Sequence, residues 1–113
     1  MAPLRSQDER SQSIIYANAS DYDNGIAPRL GVPRRDKEAL LRAMTSEEPI
    51  AIAAGYLVDY STGKPTDIVD MLYEKGDVRW SREETWNLEH NDMEVSDEFA
   101  DALLERSRRD SDA

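Results

Sequence analysis

The sequence predicts an all-α domain: a small bundle of four to five short helices preceded by an extended polar N-terminal arm. Three observations carry this expectation. A capping hydroxyl followed by carboxylates recurs along the chain, at Thr45/Ser46 with Glu47 and Glu48, at Ser81 with Glu83 and Glu84, and at Ser96 with Asp97 and Glu98. The longest apolar stretch, Pro49 to Val58, is apolar nearly all round, as is a helix enclosed by protein. Glycine and proline fall between the segments, at Gly63, Pro65 and Gly76, where helices stop.

Residues 1–33 read as the arm. They hold Pro3, Pro28, Pro33, Gly25 and Gly31 among many small polar residues, and no helical period persists. Asp21-Tyr22-Asp23-Asn24-Gly25 reads as a turn. The short apolar patch Ile14-Ile15-Tyr16 is a brief strand or an anchor pressed onto another surface. A segment with so few large apolar groups offsets little of the cost of ordering it, about 1–2 kcal/mol per residue, so the patch is expected to dock on a partner chain.

Residues 34–108 read as the helical domain. Pro33 stands where a first helical residue often stands, and Arg34 to Met44 places Ala39, Leu40, Leu41 and Met44 on one face. Thr45 or Ser46 caps a helix over Ile50 to Val58, the expected centre of the core; a buried strand over Ile50 to Ala54 is the alternative, and caps and length favour the helix. Thr66 caps a short helix from Asp67 to Lys75, with Gly76 just past its end. Ser81 and Glu84 have capping-box spacing and open a helix to about His90. Ser96 opens the last helix, which carries Phe99, Leu103 and Leu104 and gives way to a polar tail, residues 109–113.

The chain has 113 residues, enough for one core and too few for a deep cofactor cleft. Net charge is −10, from 24 acids and 14 bases. Such a chain repels nucleic acid and anionic lipid, since binding phosphates needs Lys and Arg, so direct nucleic-acid and membrane roles are not expected. Its arginines outnumber its lysines, as GC-rich coding or a high-salt cytoplasm would also produce. No cysteine is present, so disulfides, thiolate nucleophiles and thiolate metal sites are excluded. The apolar stretch is about half the length a membrane span needs, which is about 20 residues. Residues 1–13 lack the apolar core of a secretory signal, and the expected setting is intracellular (cytoplasmic) or within an assembled particle.

No residue pattern here points to catalysis, a metal or a cofactor. His90 is the single histidine and lacks companions at ligand spacing. The Asp21 segment fails the calcium-loop pattern, because Ile26 and Val32 stand where Gly and Glu are required. A helix-turn-helix over residues 50–75 would read DNA with Asp67, Asp70 and Glu74, the wrong charge. The charge is polarised instead. Residues 28–44 carry five bases against two acids, and residues 45–113 carry seven bases against eighteen acids. Glu94, Asp97, Glu98 and Asp101 recur at helical spacing as a carboxylate row. The expected function is therefore a non-enzymatic protein-binding or assembly subunit, an adaptor or structural component of a larger complex, viral or symmetric assemblies included. Its partner is another protein or copies of itself. The candidate partner-binding residues are Ile14, Ile15 and Tyr16 as anchor, Arg34 and Arg35 as the basic pole, and Glu94, Asp97, Glu98 and Asp101 as the acidic one. The alternative is a small acidic regulator or inhibitor of one target, of the antitoxin, immunity or nucleic-acid-enzyme inhibitor type.

Overall fold

The computed structural model describes residues 14–17 and 28–112. The turn expected at Asp21–Gly25 lies outside them, as does most of the arm. Among the described residues the order of elements is β1 (Ile15–Tyr16), α1 (Lys37–Thr45), β2 (Ala51–Asp59), β3 (Lys64–Lys75), β4 (Val78–Ser81), α2 (Arg82–Asn91) and α3 (Asp97–Asp112). The strands form one mixed sheet in the order β1-β4-β3-β2, with β1 parallel to β4 and the other pairs antiparallel. The all-α expectation is thus overturned: the fold is α/β, with three helices beside a four-stranded sheet.

The error lies between residues 45 and 80. Thr45 and Ser46 do not open a second helix. Their hydroxyls donate backwards to the carbonyls of Leu41 and Ala43, at 2.8 and 3.0 Å, and so satisfy orphan acceptors at the end of α1. Thr66 is not a cap either; its Oγ1 donates across the hairpin to the Leu57 carbonyl at 2.9 Å. Gly63 and Gly76 serve turns. Gly63, at φ +75, closes the β2–β3 loop, its N–H reaching the Asp59 carbonyl at 2.7 Å. Gly76, at φ +62, is the first residue of the two-residue β3–β4 turn between the paired Lys75 and Val78, a position that requires glycine in the II′ turn class. β-branched Ile50, Ile52, Val58, Thr66, Ile68 and Val69 favour the extended chain.

The elements expected at the other caps are present. Ser81 Oγ accepts from the Glu84 N–H at 3.1 Å, and Glu84 Oε1 accepts from the Ser81 N–H at 2.9 Å, a complete capping box for α2. Ser96 Oγ accepts from the Phe99 N–H at 3.1 Å at the start of α3. That helix continues through Asp112, past the point where a tail was expected.

One apolar core joins sheet and helices. It gathers Leu40 and Met44 of α1, Tyr73, Val78 and Trp80 of the sheet, Leu88 of α2, and Phe99 and Leu103 of α3. Trp80 is its hub. The indole stacks on Tyr73 at 5.8 Å, meets Phe99 edge-on at 6.1 Å, and donates its N–H to the Met44 carbonyl at 3.2 Å. Ile15 of β1 pairs with Val78 and packs against this core, and the Ala17 carbonyl accepts from the Ser96 N–H at 3.0 Å. Of the Ile14-Ile15-Tyr16 patch, Ile15 and Tyr16 therefore pair with the chain's own sheet, and Ile15 packs on its core.

Candidate functional site: an uncovered hairpin face

The helices cover only part of the sheet. On β3 the side chains of Val69, Met71 and Tyr73 alternate onto one face. Tyr73 lies buried against Trp80, and Met71 is half-buried at the rim of the core. Val69, the next on that face, is 39% exposed. Across the hairpin Ile52 pairs with Met71 and Tyr56 with Val69, which puts Ile52 and Tyr56 on the same face. They are 71% and 57% exposed, and Ile50, two residues before Ile52, is 55% exposed. The face that forms the core under the helices thus runs on, still apolar, where none of the described helices covers it. Leu72, also exposed, points to the opposite face with its pairing partners Ala51 and Ser81.

The same stretch is a sheet edge. No described strand lies beyond β2. Natural edges are usually blunted by charge, proline or a bulge. Here Ala51 to Val58 carries no charge, and only the far half is protected. Gly55, at φ +87, falls where the pairing shifts register between Ile52 and Tyr56, and it takes the left-handed conformation that a bulge asks of glycine. At Val58 helix α2 closes the edge. Glu83 accepts from the Val58 N–H at 2.8 Å, and Asn87 donates to the Val58 carbonyl at 2.8 Å. Buried Asn87 also donates to the Glu83 carbonyl and accepts from the Tyr60 N–H and Asn91 Nδ2, so all four of its bonding positions are used. Glu83 accepts from the Tyr60 hydroxyl at 2.5 Å as well. Among the described residues the hairpin is fastened at its Val58–Tyr60 end and bare from Ile50 to Tyr56.

The charged residues read from the sequence fall elsewhere, and several come together. Arg34, Arg35, Glu94 and Asp97 line a surface cleft of about 590 Å³ with Arg29 and Asp36. Within it Arg34 holds Asp36 at 2.6 Å and approaches Asp97 at 3.5 Å, while Arg29 grips Glu94 through both its backbone N–H and its guanidinium. The Arg34 hydrogen bond holds the Asp36 carboxyl below its usual range, and the Arg29 bonds do the same for Glu94. The basic pole thus meets carboxylates of its own chain. Glu94 precedes α3, so the helical part of the carboxylate row is Asp97, Glu98 and Asp101, all exposed. Arg35 is exposed on the cleft wall. Tyr16 sits at the opposite edge of the sheet, paired with Arg79 and 45% exposed. His90 stacks on Trp86 at 4.1 Å. Among the described residues no group of His, Asp and Glu is placed to hold a metal ion, and no helix is long and apolar enough to cross a membrane.

No family model, curated protein or solved structure matches this chain. The candidate site therefore stands on its own geometry. Sequence reasoning missed Ile50, Ile52 and Tyr56 because it read their stretch as the buried centre of the molecule, and Val69 because it placed that residue in a short helix from Asp67 to Lys75. The signal that would have found them is the Ile-Ala-Ile-Ala alternation of residues 50–53, closed by an Asp59-to-Gly63 turn.

Proposed function

We propose that this chain is a non-enzymatic interaction module, an adaptor or structural subunit of a larger assembly, working inside the cell or within an assembled particle. Its docking surface is the uncovered face of the β2–β3 hairpin. The observation that carries the reading is the continuation of the core face into the exposed Ile50, Ile52, Tyr56 and Val69. Contiguous apolar surface of this kind is costly to leave in water and marks interaction sites on soluble domains. The expected test is affinity capture from the native host with three baits. A specific partner is recovered with the wild type and with Leu72→Lys on the opposite face, and is lost with Ile52→Lys. Equal recovery by all three baits overturns the reading.

Exposed Asp97, Glu98 and Asp101 favour a second reading, a small acidic regulator that docks a basic target on α3. Reversing Glu98 and Asp101 to Lys then abolishes capture and Ile52→Lys leaves it intact. Binding of that kind weakens as salt rises, because the charges on both partners are exposed.

A further inference from the structure

Resting on the reading of the hairpin face as a docking surface, we propose that its occupant is a second copy of this chain, the two hairpins meeting face to face about a two-fold axis near Ile52. Three features of the molecule select a copy over a different partner. The first is charge. Each copy carries −10 overall, yet Pro49 to Val58 is a run of ten residues without a charged side chain. Two such acidic molecules repel over most of their surfaces, and this strip is where they can approach without placing carboxylates against each other. Within that run a basic partner finds no carboxylate to pair with.

The second is composition. A two-fold contact sets the same patch against itself, so the patch must complement itself. Ile50, Ile52, Tyr56 and Val69 do so, being apolar, whereas a patch of one charge would not. The third is area. The exposed fractions of those four side chains amount to roughly 400 Å² per copy. With the flanking backbone of β2, a symmetric contact totals about 1,000 Å², the size at which specific but weak associations begin. Anchorage is already in place, since Glu83 and Asn87 hold the Val58–Tyr60 end to α2 and little has to be ordered on contact.

The test is mass by light scattering or sedimentation on the full chain, from about 10 µM to about 1 mM, a range that spans weak association. The expected result is a reversible monomer–dimer equilibrium that tightens as salt rises from about 0.05 to about 0.5 M, because screening relieves repulsion between two acidic copies. Ile52→Lys and Tyr56→Lys are expected to leave monomer throughout, and Leu72→Lys to dimerise like the wild type. All three positions are exposed, and circular dichroism confirms that each variant is folded. A wild type that stays monomeric at the highest concentration overturns the copy as occupant and leaves the docking face to be decided by the capture experiment. A dimer that survives Ile52→Lys and Tyr56→Lys, or that Leu72→Lys breaks, also overturns it and counts against the hairpin face itself.

Discussion

Glu84 is a buried carboxyl set inside a hydrogen-bonded cap. Burial pushes its pKa up to about 7 from 4.5, against the Ser81 hydrogen bonds, which favour the ionised form. The folded state therefore holds this proton more tightly than the unfolded chain does. The stability it contributes is fully present below about pH 4.5 and is lost as pH rises through about 7, a span worth about 3 kcal/mol. Glu84→Gln keeps the acceptor oxygen for the Ser81 N–H and removes the titration. Urea melts are expected to show the variant more stable than the wild type at pH 8 and to lose most of the slope between pH 5 and 7. An unchanged slope would place the titration elsewhere. Asn87 is the other residue on which a local structure turns. Asn87→Ala leaves the Val58 carbonyl and the Tyr60 N–H without their partner and is expected to cost about 2–4 kcal/mol in the same melts.

At the scale of elements, the hairpin places in opposite surroundings two residues that a buried helix would enclose alike. Leu57 is fully buried and Ile52 is largely exposed. Leu57→Asp is expected to unfold the protein, since an unpaired buried charge costs several kcal/mol against a total of about 5–15. Ile52→Lys is expected to change stability by less than about 0.5 kcal/mol. Comparable losses from both in thermal melts would mean that the stretch is enclosed. Gly76→Ala tests the turn, because φ +62 disfavours a Cβ and is expected to cost about 1–2 kcal/mol. Two of the three helices were legible in the sequence from their hydroxyl caps, Ser81 and Ser96, and α1, where Asp36 makes no side-chain cap bond, from the apolar face that carries Leu40 and Met44. The hairpin was not. A threonine or serine between segments serves equally to start a helix, to finish one or to bridge strands, and Thr45, Ser46 and Thr66 do the latter two. Glycines at φ above +60 fit helix ends and hairpin turns alike, so Gly63 and Gly76 did not discriminate. The candidate site was hidden for the same reason. An apolar run reads as core whether its neighbours cover it or leave it bare, and only the strand order shows β2 at the edge.

At the scale of the whole molecule, charge and apolar surface divide the work. The basic segment near Arg34 and the carboxylates near Glu94 tie the chain to itself, and the β1 strap closes the sheet edge opposite β2. Removing residues 1–17 takes away the β1 pairing and the packing of Ile15 and buried Ala17, so the melting temperature is expected to fall by several degrees. Among the described residues the bare half of the hairpin is the surface we propose for docking. The most direct test of that claim is amide hydrogen exchange along β2 in dilute protein. An uncovered edge leaves alternate amides from Ala51 to Tyr56 unpaired and exchanging at near-unfolded rates. The amides of Val58 and Tyr60, held by Glu83 and Asn87, are expected to be protected. On association the fast amides are expected to slow while the protected ones barely change. Continuous strong protection from Ile50 to Val58 in dilute solution would contradict the account, since it would place this stretch in a helix or a covered strand.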